Sequence, residues 1–344
     1  ENNQIDALQA VGGGIFFLSP VRVSLNAIKY NCLNSDTLIS AGGGICGIGA
    51  PDNKLPGILQ NNKIQNNNCA LNSTNTQDKA SGGGVDLTYT DAIVKKNIIQ
   101  NNHLFSSCNG EGGGISLTTS IGQLRQNIIS DNEIVASGNS FGGGINNCYT
   151  HSVMCNNLVT YNSAMKGGGI RLHHQFSQVK IFNTTISKNR SIYGGSGIDI
   201  YNSSVTILNS IVWDNKGADQ IFRRGGNLQV YYCNIKGGWA GLGNIESDPL
   251  FEDTLQFYLS DSSPCIGSGI SRIIIGGINY CCPACDCGGS CRPAPPGTMP
   301  DMGAWESLLN HPVDIRNYRM NENIPEIILV QNYPNPFNQN TTIQ

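Results

Sequence analysis

The sequence predicts an all-β fold. It is a right-handed parallel β-helix, a solenoid of about eight or nine stacked coils with a Cys-rich C-terminal cap segment. Three features of the 344 residues support this prediction: a recurring glycine triplet, a short alternating strand after it, and a second apolar stretch that ends in asparagine. With strands about 4.8 Å apart, the coils would form a prism on the order of 40 Å long.

The glycine triplets set the period of the predicted solenoid. Three consecutive glycines are costly inside a helix but suit a tight bend, and self-similarity at this spacing is typical of stacked repeats. A long step after the second triplet predicts an insertion at 66–79. The triplets begin at Gly12, Gly42, Gly82, Gly112, Gly142 and Gly167, and a degenerate copy begins at Gly194.

Each triplet is followed by residues that alternate between apolar and polar, as in Gly-Ile-Arg-Leu-His at 169–173, which predicts a short strand with one buried face. About a dozen residues later an apolar stretch ends in asparagine, as at 127–132. Asparagine tolerates left-handed backbone and caps turns, so stacked copies are expected to form hydrogen-bonded ladders. Leucine-rich repeats are disfavoured because no Leu-x-x-Leu-x-Leu frame and no amphipathic helix pattern is found.

Composition narrows the function classes. A net charge of −3, with only 13% charged residues, argues against nucleic-acid binding. No apolar run is long enough to span a membrane. Aromatic residues make up 7% of the chain and form no regular outward stripe, which lowers the expectation of sugar stacking.

Residues after the repeats resemble a known family. The runs Gly-Gly-Trp at 237–239, Gly-Asn-Ile at 243–245, Asp-Pro-Leu-Phe at 248–251, Ser-Pro-Cys-Ile at 263–266 and Asp-Met-Gly-Ala-Trp-Glu at 301–306 are similar to the terminal coil of secreted bacterial β-helix repeat proteins. That family shares the right-handed parallel β-helix of pectate lyases. The resemblance implies a fold and export much more than a reaction.

A second resemblance lies within 330–343. The motif Asn332, Tyr333, Pro334, Asn335, Pro336, Phe337 and Asn338 is similar to the opening of the C-terminal sorting domain of type IX secretion. This implies a bacterial protein at the cell surface or outside the cell, with the type IX secretion machinery as a partner. The predicted organisation is repeats over 1–235, a terminal coil and Cys-rich capping segment over 236–306, a linker over 307–327 and an incomplete sorting domain over 328–344.

Thirteen cysteines fit an exported protein. Six of them crowd together and are predicted to form a disulfide staple, namely Cys265, Cys281, Cys282, Cys285, Cys287 and Cys291. The alternative is metal ligation by Cys282-x-x-Cys285 with the cysteines that follow. Cys148 and Cys155 are predicted to bridge a corner of one coil.

Four outward residues of the post-glycine strands form the candidate chemical site. Aligning the repeats places Arg171 beside Asp199 and His173 beside Tyr201 on neighbouring coils. By resemblance to polysaccharide lyases on this fold, Arg171 or His173 would be the base and Tyr201 the acid, with calcium as a possible cofactor of such a lyase. No metal site is predicted, because no cluster of aspartates is found. The competing interpretation is a solvated ladder in which opposite charges stabilise strand pairing.

Two function hypotheses follow. The first is a secreted cell-surface module with a structural, adhesive or fibre-forming role, a surface polysaccharide as partner and no nucleic acid or membrane span. Open solenoid ends would favour head-to-tail self-association. The alternative is a polysaccharide lyase or glycoside hydrolase acting on an acidic polysaccharide.

Overall fold

The computed structural model describes residues 2–7, 9–37 and 39–309, and these contain thirty-six β-strands. The first eighteen are β1 (Gln4–Ala7), β2 (Ala10–Val11), β3 (Ile15–Phe17), β4 (Val21–Ser24), β5 (Ala27–Lys29), β6 (Cys32–Ser35), β7 (Ile39–Ala41), β8 (Ile45–Ile48), β9 (Leu55–Gln60), β10 (Lys63–Gln65), β11 (Asn68–Leu71), β12 (Lys79–Ser81), β13 (Val85–Thr88), β14 (Thr90–Lys95), β15 (Ile98–Gln100), β16 (His103–Ser106), β17 (Asn109–Glu111) and β18 (Ile115–Thr118). The others are β19 (Ile121–Arg125), β20 (Ile128–Ser130), β21 (Glu133–Ala136), β22 (Ser140–Phe141), β23 (Ile145–Cys148), β24 (His151–Cys155), β25 (Leu158–Thr160), β26 (Ile170–His173), β27 (Gln178–Phe182), β28 (Thr185–Ser187), β29 (Gly195–Tyr201), β30 (Ser204–Leu208), β31 (Ile211–Trp213), β32 (Asp219–Arg224), β33 (Asn227–Tyr231), β34 (Asn234–Ile235), β35 (Arg272–Ile275) and β36 (Ile278–Cys281).

Three parallel sheets of eight strands run along the molecule. The post-glycine sheet contains β3, β8, β13, β18, β23, β26, β29 and β32, and these strands number coils 1 to 8. The second sheet contains β4, β9, β14, β19, β24, β27, β30 and β33, and the third contains β5, β10, β15, β20, β25, β28, β31 and β34. Each strand pairs in parallel with its counterpart in the next coil, which confirms the predicted parallel β-solenoid of about eight coils.

Two shorter parallel sheets complete the early coils. The fourth sheet contains β1, β6, β11, β16 and β21, and the fifth contains β2, β7, β12, β17 and β22. Both end where the step between glycine triplets shortens after Gly142. In the later coils, isolated parallel β-bridges, such as that between Phe141 and Lys166, take the place of the fifth sheet. The later coils therefore contain fewer residues per turn than the early ones.

The core is a stack of identical or similar apolar side chains. Ile115, Ile145 and Ile170 occupy the same inward position in successive coils and are fully buried. Burying each such side chain contributes roughly 1.5–3 kcal/mol. Repetition of one inward residue thus builds a continuous core.

The glycine triplets are required by close backbone approach. Gly112 has a φ of +71°, which favours glycine, and a Cβ at Gly113 would lie 2.5 Å from the carbonyl oxygen of Gly143 in the next coil. Any larger residue at the middle position would push two coils apart. This explains why the triplet marks coils 1 to 6.

The predicted asparagine ladders are confirmed. Asn132 Oδ1 accepts hydrogen bonds from the amide of Asn102 at 3.1 Å and from its Nδ2 at 2.9 Å, and Asn132 makes the same contacts to Asn162. Buried amides are thereby satisfied along the whole stack. One ladder contains Asn26, Asn62, Asn97, Asn127 and Asn157, and the other contains Asn31, Asn67, Asn102, Asn132, Asn162, Asn189 and Asn215.

The left-handed corner residue is not the ladder asparagine itself. It is the residue before it, as with Asp131 (φ +55°) before Asn132 and Lys96 (φ +53°) before Asn97. The preceding residue turns the chain, and the ladder amide then satisfies the backbone groups at the corner. The sequence prediction had assigned both tasks to one asparagine.

The insertion predicted at 66–79 is divided between two places. Residues 49–54 separate β8 from β9, where Tyr89 alone separates the matching strands of coil 3. A second addition, within 72–78, separates β11 from β12. Residues 66–71 belong to the regular coil, because they form a corner and strand β11.

The chain after β34 first covers the last coil. The amide of Ile235 donates to the carbonyl of Ile245 at 3.1 Å, and the amide of Tyr232 donates to that of Leu242 at 2.9 Å. These bonds satisfy backbone groups at the open edge of the solenoid.

The predicted Cys-rich cap is not confirmed. Cys265 contacts the last coil, where its Sγ accepts from Asn234 Nδ2 at 3.1 Å, but the hairpin with Cys285 and Cys291 docks along the side, at the corner between the second and third sheets. Gln126 Nε2 donates to the carbonyl of Asp286 at 2.6 Å, and Asn156 Nδ2 donates to that of Cys285 at 2.6 Å. These contacts reach coils 4 and 5.

The predicted sorting domain at 328–344, with its motif, lies outside the described residues, as does most of the predicted linker at 307–327. Within the described part, no helix has the length and apolar character needed to cross a membrane.

Candidate functional site

A groove of about 660 Å³ lies on the outer face of the post-glycine sheet in coils 5 to 8. Its floor is formed by outward residues of β23, β26, β29 and β32, and its wall by residues of the fifth sheet and of the bridges that continue it. The floor residues are Asn146, Cys148, Arg171, His173, Asp199, Tyr201, Phe222 and Arg224, and the wall includes Glu111, Phe141, Lys166 and Tyr193.

The four residues predicted as the candidate site all line this groove. Arg171 is directly paired with Asp199, and His173 with Tyr201, in the parallel register of β26 and β29. The predicted neighbourhood of the two pairs is therefore confirmed. Their catalytic roles stay predictions.

Arg171 and Asp199 form a buried ion pair through Nη1 and Oδ2. Their exposed fractions are only 8% and 1%, and burial lowers the pKa of Arg171 to about 10. Two charges removed from water require each other, because either alone would carry a large desolvation cost. The competing interpretation is thus correct that opposite charges pair across the strands, but the pair is buried rather than solvated.

Gly194 makes room for this pair. A Cβ at Gly194 would lie 2.5 Å from Oδ1 of Asp199, and its φ is +73°. Both constraints favour glycine. The degenerate seventh glycine copy therefore positions a carboxylate as well as turning a coil.

Aromatic rings frame the guanidinium of Arg171. Its Cζ lies 5.1 Å from the ring centroid of Phe141 and 5.5 Å from that of Tyr201. Lys166 lies over Phe141 at 5.6 Å, and Arg224 over Tyr201 at 5.8 Å. These are cation–π distances.

No role is predicted from the sequence for these aromatic residues, because a bulky residue before a glycine triplet does not by itself indicate a groove, although Phe141 and Tyr193 share that repeat position. Phe141 comes from β22, Tyr193 from a turn, and Phe222 from the last strand of the sheet. The signal available in the sequence was the bulky residue just before a triplet, at Phe141 and Tyr193.

His173 is the group in the groove best suited to accept a proton. Burial first, and the positive charge of Arg171 second, lower the pKa of His173 below its ordinary value of 6.5. The imidazole is therefore neutral at pH 7, as a general base must be. Its ring centroid lies 5.2 Å from that of Tyr201.

Cys148 also faces the groove, with Sγ 3.7 Å from Nδ1 of His173. Burial, with a contribution from Glu111, raises the pKa of the Cys148 thiol to about 11. The thiol therefore stays protonated at neutral pH and is not an activated nucleophile.

The predicted bridge between Cys148 and Cys155 is wrong. Cys148 ends β23, before the corner that leads into β24, and Cys155 is the last residue of β24. The four steps along β24 from His151 to Cys155 extend about 13 Å, whereas disulfides need Cα atoms within about 4.4–6.8 Å.

All thirteen cysteines are free thiols in the structure. Of the six predicted to form a staple, Cys265 and Cys287 are buried, Cys282 and Cys285 are half-buried, and Cys281 and Cys291 are exposed. Within 2–309, no group of three or more His, Cys, Asp or Glu side chains is placed to hold a metal ion. The zinc alternative for the cysteines therefore has no matching cluster.

Calcium does not fit the groove. The carboxylates that line it are those of Glu111 and Asp199. Asp199 is engaged by Arg171, and Glu111 accepts from Lys79 Nζ at 3.0 Å. Calcium requires several free oxygen ligands, which these two carboxylates do not supply.

Comparison with protein-family models gives no match, and comparisons with curated proteins and with solved structures give none either. The resemblances at 227–306 and 330–343 therefore stay sequence-based expectations. The groove is the feature of the described residues that points to a function.

Proposed function

We propose that this chain is an extracellular bacterial adhesive module that holds an acidic polysaccharide in the groove above coils 5 to 8. The observation that carries the proposal is the combination of aromatic faces and cations along one groove. Flat apolar faces pack against sugar rings, and guanidinium groups recognise carboxylates in a bidentate manner.

The charge balance of the groove favours an anionic ligand. The charge of Arg171 is matched by Asp199, and that of Glu111 by Lys79. Lys166 and Arg224 form no ion pair within the described residues. Two cations thus stay available for a carboxylated sugar.

We further propose that the coil is right-handed. Each turn of the solenoid is a connection between parallel strands, and such connections are right-handed in about 98% of cases. The similarity of 227–306 to secreted β-helix proteins supports the same handedness.

Export by the type IX secretion machinery is proposed from the motif at 332–338, and it would deliver the protein to the bacterial surface or the medium. A disulfide-permitting compartment also suits thirteen cysteines. Head-to-tail self-association and a fibre-forming role stay predictions.

Calorimetric titration of the full chain with polygalacturonate tests the adhesive function, with neutral galactan as the control polymer. We expect the acidic polymer alone to bind. Arg224→Ala should weaken binding about tenfold, the effect of losing roughly 1.4 kcal/mol. Arg22→Ala, which removes an exposed cation of the second sheet, should leave binding unchanged. Equal binding of both polymers, or no effect of Arg224→Ala, would reject the proposal.

A polysaccharide lyase is the second candidate, favoured by the neutral imidazole of His173 beside Tyr201 and Arg171. In this reaction His173 would take the proton from C5 of a uronate. The C4–O bond then breaks as C4=C5 forms, and Tyr201 would protonate the departing oxygen.

Ultraviolet absorbance of the unsaturated product separates the two candidates. If the lyase candidate holds, polygalacturonate yields this product and His173→Ala abolishes it while binding persists. Absence of product from pH 5 to 10, with and without added calcium, removes the lyase candidate and leaves the adhesive proposal intact.

A further inference from the structure

A tight hairpin lies within the Cys-rich part and brings Cys285 opposite Cys291 as an antiparallel pair. The amide of Asp286 donates to the carbonyl of Ser290 at 2.9 Å. The amide of the residue after Cys291 donates to the carbonyl of the residue before Cys285 at 3.0 Å. These bonds flank the two cysteines, so Cys285 and Cys291 occupy a non-hydrogen-bonded position.

Such a position suits a disulfide. Directly opposed residues of this kind have Cα atoms about 4.5 Å apart, within the range of roughly 4.4–6.8 Å found for disulfides. Asp286 Oδ1 holds the turn by accepting from the amides of Gly289 at 2.7 Å and Ser290 at 2.8 Å. The backbone is therefore already arranged for a bridge.

Access to solvent distinguishes this pair from its neighbours. Cys291 is exposed and Cys285 is half-buried. Cys287 is buried, and burial raises the pKa of its thiol to about 12; burial likewise raises that of Cys282 to about 11. Thiol–disulfide exchange needs an accessible thiolate.

We propose that Cys285 and Cys291 form a disulfide that turns this hairpin into a covalent clasp on the side of the solenoid. The oxidant is a low-molecular-weight disulfide such as oxidised glutathione. The Cys291 thiolate attacks one of its sulfurs and releases one glutathione thiolate; the Cys285 thiolate then attacks the mixed disulfide and releases the second. The two protons from the cysteines end on the two glutathione thiols, so two protein thiols are oxidised and one disulfide is reduced.

The clasp fixes the carbonyls that dock on the coils. The carbonyls of Cys285 and Asp286 accept from Asn156 and Gln126, at the corners of coils 5 and 4. Closing the loop restricts the undocked hairpin and so favours the docked one. The rival bridge is Cys285 with Cys155, because Cys155 precedes Asn156 and the two thiols are near enough to interact electrostatically.

Peptide mapping of the reduced full chain, reoxidised with oxidised glutathione and then blocked with N-ethylmaleimide, tests the proposal. A protease that cuts before aspartate separates 261–285 from 286–300. We expect these fragments to stay linked until reduction, with two of the thirteen thiols lost. A link between 261–285 and the fragment with Cys155, or no link at all, would overturn the proposal.

Three variants assign the bridge. Cys285→Ser and Cys291→Ser should each abolish the link, whereas Cys281→Ser, an exposed cysteine whose strand partner is Arg272, should retain it. In Cys291→Ser the hairpin should be cut faster by a nonspecific protease than in Cys281→Ser. A link that persists in Cys291→Ser, in protein with unchanged circular dichroism, contradicts the assignment.

Discussion

The ladder that contains Asn132 and the outward column that contains Arg171 obey the same strand spacing but differ in repetition. The ladder has asparagine in every coil from 1 to 7, whereas the column changes at each step, through Asp86, Ser116, Asn146, Arg171, Asp199 and Phe222. One asparagine side-chain amide pairs well with another, because each can both donate and accept hydrogen bonds. A guanidinium needs a different neighbour, so Arg171 requires Asp199. Repetition therefore marks positions that hold the coils together, whereas the outward column varies along its whole length and forms the floor of the groove in coils 5 to 8.

The largest loss of folding stability is expected for a substitution in the glycine triplets, where the repetition is strictest. A Cβ in Gly143→Ala would lie 2.5 Å from the carbonyl oxygen of Gly168 and 2.6 Å from the amide nitrogen of Ser163. The backbone atoms on both sides cannot move without separating two coils. We therefore expect the free energy of unfolding to fall by about 4 kcal/mol or more. Urea denaturation followed by circular dichroism measures this.

Gly57→Ala is the matched control for the triplet variant. Its Cβ would meet nothing nearer than Phe17 at 3.8 Å. The free energy of unfolding should change by less than about 1 kcal/mol, in the stabilising direction. Equal losses in Gly57→Ala and Gly143→Ala would show that close approach between coils is not the reason for the triplet.

The next largest loss of folding stability is expected for a substitution in the ladder that contains Asn132. Asn132→Ala removes the acceptor of two bonds from Asn102 and both donors, which serve Asn162 and the carbonyl of Ile99. Buried groups left without partners cost about 1–3 kcal/mol each, so we expect a loss of about 3 kcal/mol in unfolding free energy. Asn139→Ala, at an exposed asparagine, should cost less than about 0.5 kcal/mol. A loss below 1 kcal/mol for Asn132→Ala would mean that the ladder is not a source of stability.

The same contrast explains what the sequence could predict. Repeated features were predictable: the parallel coils, the ladders, and the register that sets Arg171 beside Asp199. Features that occur once were not, because no period reveals them. The wall is an intermediate case: Phe141 and Tyr193 share the repeat position before a triplet, but only the fold shows that these side chains line a groove.

The path of the C-terminal segment along the solenoid could not be predicted from the sequence either. Its position along the corner depends on side-chain amides such as Gln126 and Asn156, which turn outward from the coils to meet backbone carbonyls. Glutamine or asparagine stands at this corner in coils 1 to 7. Only the fold shows which of them receive a docked segment.

The outward column should be fragile wherever a charge loses its partner. Asp199→Asn leaves the buried guanidinium of Arg171 without a counter-charge, and breaking such a pair costs about 3 kcal/mol. The double variant Arg171→Met/Asp199→Leu, which removes both charges, should recover most of this loss in a denaturation experiment. If Asp199→Asn is as stable as the parent protein, the pair is solvated and the groove is more open than described.

The smallest expected effect is the pH dependence of stability due to His173. Because the pKa of His173 is lowered in the folded state, the unfolded chain binds a proton first as the pH falls below about 6.5. Stability contributed by the neutral imidazole is therefore present above this pH and is lost as the pH decreases toward the folded pKa. His173→Gln should flatten the dependence of unfolding free energy on pH between 5 and 7, whereas His151→Gln, at an exposed histidine on β24, reports the loss of a histidine outside the groove. An identical slope in the parent protein and in His173→Gln would mean that the imidazole is solvated in the folded state, which would also remove the physical basis for its role as a base.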